Sequence, residues 1–305
     1  MKLKICSVTD HQNKSAAFRE ALAKAGYYFT ERLHAQGLKF ILTDADWRAS
    51  TMDKTRCGDI PVFLYPHAAR PMVQYDGCVE PQPVTAMFTH AEGGKAIMEK
   101  IGYPNPVEVT GWAFSEVRPF RPVKSVKRIL FAPIHPNANG WLSQVDKDLN
   151  QKTLERLEAY SRETGAELSV RMIGPAEQNG LTFGEGTEVH SGKKNLSTAD
   201  MESADVVVGH QTFAYMAVAL GIPTVMIGED VPPRSGNSEA GFCYVAHWEA
   251  YKDDLMFPLD ILQGETEDVL ERACEGSDAV EGWKSRFIGE PFDGPAFVAK
   301  LESYL

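Results

Sequence analysis

Residues 204–225 read ADVVVGHQTFAYMAVALGIPTV and carry the clearest secondary-structure signals of the chain. The apolar run Asp205–Val208 predicts a buried strand, and Gly209–Thr212 predicts a polar turn after it. A helix is predicted over Phe213–Leu220, closed by a glycine, and a second strand over Pro223–Ile227. A strand, a helix and a strand in this order predict a βαβ unit with parallel strands.

The same alternation of strand and helix signals continues on the N-terminal side of this stretch. Strands are predicted over Lys2–Val8, Phe40–Leu42, Ile60–Tyr65, Val84–Thr89, Val107–Thr110, Arg128–Ala132 and Glu167–Ile173, and helices over Ala16–Ala25, Ala91–Ile101, Leu149–Thr164 and Leu196–Ala204. Residues 113–127 contain two prolines and mixed charge, which is a linker composition. The sequence therefore predicts two α/β domains, residues 1–115 and 124–284, with a C-terminal helix over about 285–305.

Composition sets limits on the class of protein. The 305 residues are 43% hydrophobic and 24% charged, as in soluble globular proteins, and no apolar run predicts a membrane span. Five cysteines without C-x-x-C spacing argue against a zinc knuckle and a disulfide framework, and favour a reducing cytoplasm. The net charge is −11, and almost all of the excess negative charge lies after residue 120. The sequence therefore has no basic surface typical of nucleic-acid binding, but the near-neutral first domain is still compatible with an anionic partner.

Several segments resemble glycosyltransferases of the GT-B superfamily. Residues 204–225 resemble their nucleotide-binding half, and in particular that of CDP-glycerol glycerophosphotransferases and UDP-GlcNAc 2-epimerases. Residues 101–112 (IGYPNPVEVTGW) and 128–137 (RILFAPIHPN) resemble further segments of these families, and Gly294–Leu301 resembles their last helix. The resemblance implies two Rossmann-like domains facing each other across a cleft, with the C-terminal helix returning to the first domain.

The chain also departs from these families at the turn after the strand. The epimerases carry a glycine-rich turn with two carboxylates there, whereas residues 210–216 contain none, so epimerase activity is not expected. The glycerophosphotransferases carry D-Y-S-S where this chain has Gly209–Thr212, so their substrate is not carried over.

The donor-binding residues are expected at turns after the strands of the second domain. Parallel α/β sheets bind ligands outside the carboxyl ends of their strands. Backbone amides at the start of the predicted helix suit a diphosphate, since they are unpaired and lie at the positive end of the helix dipole. The predicted donor-binding set is His135, Gly174, His210, Gln211, Thr212, Phe213 and Arg234. Arg234 is interpreted equally well as an ordinary surface-loop residue.

The acceptor and the catalytic base are expected in the first domain. His67 and His11 each follow a strand, and imidazole titrates near neutral pH, so either could deprotonate a hydroxyl group. Asp44 and Asp46 resemble the D-x-D metal motif of GT-A enzymes but are interpreted as a turn with an acceptor role. Trp112 is the third residue assigned to the acceptor. No metal site is predicted.

The resemblance implies an enzyme that moves a sugar from a nucleotide diphosphate, UDP being favoured, to a hydroxyl acceptor without a metal or another cofactor. A CDP-glycerol-type glycerophosphotransferase and a non-catalytic nucleotide-binding module remain alternatives. A small molecule or a saccharide is the favoured acceptor, because a basic amphipathic helix for membranes is lacking. Hydroxymethylated bases of viral DNA, which would have to be flipped out of the duplex, rank just below.

Overall fold

The structure is a computed structural model that describes residues 4–9, 16–30, 37–43, 60–65, 84–135, 142–191, 198–228 and 248–305. The chain divides into two compact units. The first comprises Met1–Glu116, Gly241–Asp254 and Ser285–Leu305, and the second comprises Val117–Ala240 and Leu255–Lys284. Within the described ranges, no helix is long and apolar enough to cross a membrane.

The first unit contains a parallel sheet with six strands among the described residues, in the order β2-β1-β3-β4-β5-β6. The strands are β1 (Lys4–Thr9), β2 (Tyr27–Thr30), β3 (Leu38–Thr43), β4 (Val62–Leu64), β5 (Ala86–Thr89) and β6 (Val107–Val109). The helices are α1 (Ala16–Lys24), α2 (Glu92–Lys100), α7 (Trp248–Leu255) and α10 (Gly294–Glu302).

One face of this sheet forms the core of the first unit. Side chains alternate between the faces of a strand, so every second residue points to the same side. Phe40 on β3, Phe63 on β4 and Phe88 on β5 share that side and pack in one buried cluster with Phe297 and Leu301 of α10. The predicted return of the C-terminal helix to the first domain is therefore confirmed.

The second unit contains a second parallel sheet, ordered β11-β10-β7-β8-β9 within the described residues. Its strands are β7 (Arg128–Ala132), β8 (Glu167–Met172), β9 (Glu188–Ser191), β10 (Val206–Gly209) and β11 (Thr224–Met226). Its helices are α3 (Gln144–Thr164), α4 (Ala176–Asn179), α5 (Thr198–Glu202), α6 (Gln211–Ala219), α8 (Thr266–Glu275) and most of α9 (Asp278–Phe287). Two parallel α/β units match the predicted fold class.

The segment predicted as a linker is partly packed against the second unit. The backbone amides of Arg118, Arg121 and Val123 donate to carbonyl oxygens of Ala219, Gly221 and Cys274, at 2.8, 2.8 and 3.0 Å. Gly221 has φ +73°, and a Cβ there would lie 2.0 Å from a backbone oxygen of this segment. From Val117 on, the segment is therefore part of the second unit rather than a free tether.

Candidate functional site

The carboxyl edge of the second sheet gathers most of the predicted donor-binding residues. His135 follows β7, Gly174 follows β8, and the turn from Gly209 into α6 follows β10. Parallel strands end at the same edge, and β10, β7 and β8 are consecutive in the sheet. The structure therefore brings these segments to one edge, with β11 bordering β10 on its other side.

The turn between β10 and α6 is tight. A Cβ on Gly209 would lie 3.0 Å from the ring of Phe213 and 3.6 Å from the carbonyl oxygen of Ala132. His210 is the N-cap residue and is extended, with φ −126° and ψ 139°, and its side chain makes no capping bond. The first amides of α6, at Gln211 and Thr212, therefore lack the usual side-chain cap, and they lie at the positive end of the helix dipole.

Gln211 has a strained backbone. Its φ is +45°, and among the described residues it is the single non-glycine residue with a positive φ. Such a conformation costs a residue with a Cβ roughly 1–2 kcal/mol. Residues held in this way cluster at ligand sites, where the surrounding structure enforces a geometry that the chain alone does not prefer.

The His210 ring is oriented by the neighbouring strand end. Its Nδ1 lies 3.4 Å from the carbonyl oxygen of Ile227, which follows β11. A carbonyl oxygen only accepts, so the neutral ring that makes this contact carries its proton on Nδ1 and its lone pair on Nε2. His210 is half-buried, as are Gln211, Thr212 and Phe213.

The two loops beside this turn differ in exposure. His135 is exposed, whereas Ile134 before it is buried. Gly174 is half-buried with φ +79°, a value that favours glycine. Sequence reasoning missed two buried asparagines, Asn150 and Asn179, which hold both loops. The available signal was a polar residue on the buried face of a predicted helix.

Asp205 explains part of the sequence pattern without a ligand. Its Oδ2 accepts hydrogen bonds from the backbone amides of Lys127 and Arg128, each at 2.9 Å. These contacts join the start of β10 to the start of β7, at the end of the sheet opposite to the candidate site. The acidic residue before the apolar strand therefore has a structural role here.

Of the residues predicted for the first domain, only Trp112 lies within the described part of the chain. It is 1% exposed, its Nε1 donates to Ser115 Oγ at 2.9 Å, and its ring contacts His90 and Phe114. This burial leaves almost no surface for direct contact with an acceptor, so a role for Trp112 stays a prediction. His11, His67, Asp44, Asp46 and, in the second domain, Arg234 lie outside the described residues.

Two thiols, Cys6 and Cys274, lie in the described part of the chain, and both are buried. Burial raises the pKa of Cys6 to about 12 and that of Cys274 to about 11, so both thiols stay protonated at neutral pH. Within the described ranges, no group of three His, Cys, Asp or Glu side chains is placed to hold a metal ion.

Comparisons with known proteins identify the fold. The sequence matches no protein-family model, and no curated protein is significantly similar to it. Among solved structures, MurG of Acinetobacter baumannii is similar over 100% of both chains, with a TM-score of 0.53 and 10% identity. The wall teichoic acid polymerase TagF is similar over 99% of this chain and 88% of its own, with a TM-score of 0.53 and 11% identity. The two parallel α/β units thus have the fold of GT-B glycosyltransferases.

Proposed function

We propose that this GT-B-fold protein transfers a sugar from a nucleotide diphosphate sugar to a hydroxyl acceptor. The observation that carries the proposal is the turn from Gly209 to Gln211, where a strained residue opens α6 at the carboxyl edge of the second sheet. In open parallel sheets, ligands bind outside this edge, and anions bind at helix N-termini. A strained, glycine-tight turn at that position is accounted for by a diphosphate held on the amides of α6.

The same geometry supplies the electrostatic part of the reaction. As the sugar leaves, negative charge grows on the diphosphate, and fixed amide dipoles stabilise that charge without reorganising. His135, on the loop after β7, and Arg234 would add positive charge or hydrogen bonds to the phosphates. In the first domain, His67 or His11 would take the proton of the acceptor hydroxyl, and Asp44 and Asp46 would help to bind the acceptor. Trp112 is buried, so its part in acceptor binding would be to support the surrounding site rather than to contact the acceptor.

The donor is proposed to be UDP-linked, and the reaction is proposed to need no metal. The proposed location of the protein is the cytoplasm. Transfer of a glycerophosphate group from a CDP-linked donor remains the second candidate, because the structural similarity to the polymerase TagF favours it. A nucleotide-binding module without turnover is the third. No observation on the described residues favours a modified DNA base as acceptor, so a small molecule or a saccharide is proposed.

A panel of UDP-, GDP- and CDP-linked donors distinguishes these candidates. Thermal stabilisation together with nucleotide release identifies the donor class, and release from CDP-glycerol alone would favour the second candidate. Stabilisation without release under any acceptor would favour the binding module. If no nucleotide stabilises the protein, the proposed function is wrong.

A charge placed at the start of α6 tests the diphosphate site directly. Thr212→Asp should leave stability unchanged or raise it by about 0.3–1 kcal/mol, since an acidic side chain interacts favourably with a helix N-terminus. The same charge should weaken nucleotide binding by about tenfold or more through repulsion of the diphosphate. Thr266→Asp, at the start of α8 in the same unit, is the matched control and should leave binding unchanged. Equal binding by both variants would place the diphosphate elsewhere.

A further inference from the structure

Two buried asparagines connect the loops that follow β7 and β8. Asn150 on α3 and Asn179 at the end of α4 are both 0% exposed. Asn150 Oδ1 accepts from the backbone amide of Ile134 at 2.7 Å, and Asn150 Nδ2 donates to the carbonyl oxygen of Ile134 at 2.8 Å. The same Nδ2 donates to the carbonyl oxygen of Asn179 at 2.9 Å. One side chain therefore holds a peptide group of each loop.

Asn179 extends the connection to the end of β8. Its Nδ2 donates to the carbonyl oxygens of Ile173 and Pro175, at 2.8 and 2.9 Å. Gly180 allows the approach to α3, because its φ is +70° and a Cβ there would lie 2.3 Å from Cβ of Lys147. All five hydrogen bonds go to backbone groups, four in the two loops and one at the end of α4, so the pair acts on the shape of this backbone.

The anchored peptide groups flank two residues of the candidate site. His135 directly follows Ile134, and Gly174 lies between Ile173 and Pro175. A buried amide that only filled space would be disfavoured against an apolar side chain of similar size, because burying polar atoms is costly unless they are paired. Here both Nδ2 groups donate to backbone carbonyl oxygens and Asn150 Oδ1 accepts from the amide of Ile134, whereas Asn179 Oδ1 has no hydrogen-bond partner among the described residues.

We propose that Asn150 and Asn179 are positioning residues that couple residues 133–135 after β7 to residues 173–180 after β8, so that these two segments bind the donor as one rigid surface. Neither side chain contacts the donor, and both act through the backbone beside His135 and Gly174. The coupling itself is a property of the fold, whereas its effect on donor binding rests on the proposed function.

The variant Asn150→Asp separates coupling from packing. It keeps the size of the side chain and one oxygen, but it replaces Nδ2 by a carboxylate oxygen that faces the carbonyl oxygens of Ile134 and Asn179. Gln151→Ala is the matched control, since Gln151 is the next residue on α3 and holds the backbone of Thr182 in the same manner, at 2.9 and 3.4 Å. Asn179→Asp tests the coupling from the other loop and serves if Asn150→Asp does not fold.

Hydrogen exchange with mass spectrometry reads the coupling without a ligand, and titration with UDP, GDP and CDP reads the effect on binding. In Asn150→Asp we expect exchange to rise about tenfold in both segments, 133–135 and 173–180, as expected for the loss of buried hydrogen bonds. We expect nucleotide affinity to fall by about tenfold. In Gln151→Ala, exchange should rise near Thr182 alone, with affinity within about twofold of the wild type.

Each result decides a separate part of the proposal. Faster exchange near Ile134 alone, with 173–180 unchanged, would overturn the coupling. Faster exchange in both segments with unchanged nucleotide affinity would confirm the coupling and overturn its role in binding. If the wild type binds none of the three nucleotides, the proposed function and the role in donor binding both fail, while the exchange data still decide the coupling.

Discussion

Replacing Gln211 by glycine and by alanine measures the strain in the turn before α6. At φ +45°, a residue with a Cβ pays roughly 1–2 kcal/mol for the left-handed backbone. Glycine removes this strain but loses about 0.5–1 kcal/mol more backbone entropy on folding than alanine does. The difference predicts that Gln211→Gly is more stable than Gln211→Ala by up to about 1.5 kcal/mol.

The neighbouring Thr212 supplies the control, because among the described residues positive φ outside glycine is confined to Gln211. At a right-handed helical position, alanine is more stable than glycine by about 0.8–1 kcal/mol. Urea unfolding followed by circular dichroism should therefore give opposite signs for the two glycine–alanine pairs. If alanine is at least as stable as glycine at position 211, the reasoning from strain is wrong.

The same variants test whether the strain serves binding. Gln211→Gly releases the backbone of the turn, so its amides are less fixed toward a diphosphate, and nucleotide affinity should fall by about threefold or more. A variant that gains stability and loses affinity is the expected pattern when strain is kept for function. Unchanged affinity in Gln211→Gly would separate the strain from nucleotide binding.

Two further predictions concern stability. Gly221→Ala should lower the free energy of unfolding by at least about 2 kcal/mol in urea, because left-handed strain adds to a contact of 2.0 Å. The control Gly186→Ala, with φ +88° and open space around it, should lower it by about 1 kcal/mol. Equal losses in the two variants would contradict the close approach at Gly221. A hydrogen bond from Lys100 at 2.7 Å lowers the pKa of Asp254, so the stability that this carboxylate adds is fully present above about pH 5 and is lost as the pH falls below the ordinary aspartate value of about 3.9 and through the lowered pKa. The stability difference between the wild type and Asp254→Asn should therefore shrink progressively as the pH falls below about 4, with Asp253→Asn as the control variant, and a difference that is the same at pH 6 and pH 3 would contradict it.

The fold could be predicted where consecutive local signals agree. Between residues 204 and 225 an apolar run, a glycine turn, an apolar helix and a proline follow each other, and the structure has β10, α6 and β11 there. Helix α3 begins at Gln144, five residues before the predicted start at Leu149. Its first turn is polar and depends on Ser143, whose hydroxyl accepts from the amide of Asp146. Apolar periodicity does not detect such a start.

Two edge strands, β2 and β9, were missed for a related reason. Tyr27–Thr30 and Glu188–Ser191 are four residues long and lie at the edges of their sheets. An edge strand pairs on one side and is partly exposed, so its sequence need not be a buried apolar run. These segments pair because of the strand order of each sheet, and that order cannot be inferred from the sequences of the segments alone.

The turn at Gly209 could be predicted from the sequence and the pair of asparagines could not, and strand order explains this difference too. The position of the turn follows from strand direction, because every parallel strand brings its next residue to the same edge. The position of His135, Gly174 and His210 at that edge could therefore be predicted one residue at a time. Asn150 joins residues 16 and 29 positions away in the sequence, and only the fold brings those partners together.

The sequence did contain one indication of this connection. Asn150 shares the buried face of α3 with Thr153, Leu154 and Leu157, and a fully buried amide has to find hydrogen-bond partners. A polar residue on the buried face of a helix that lies between two strands therefore points to the loops at their ends, and the partners of Asn150 are found there.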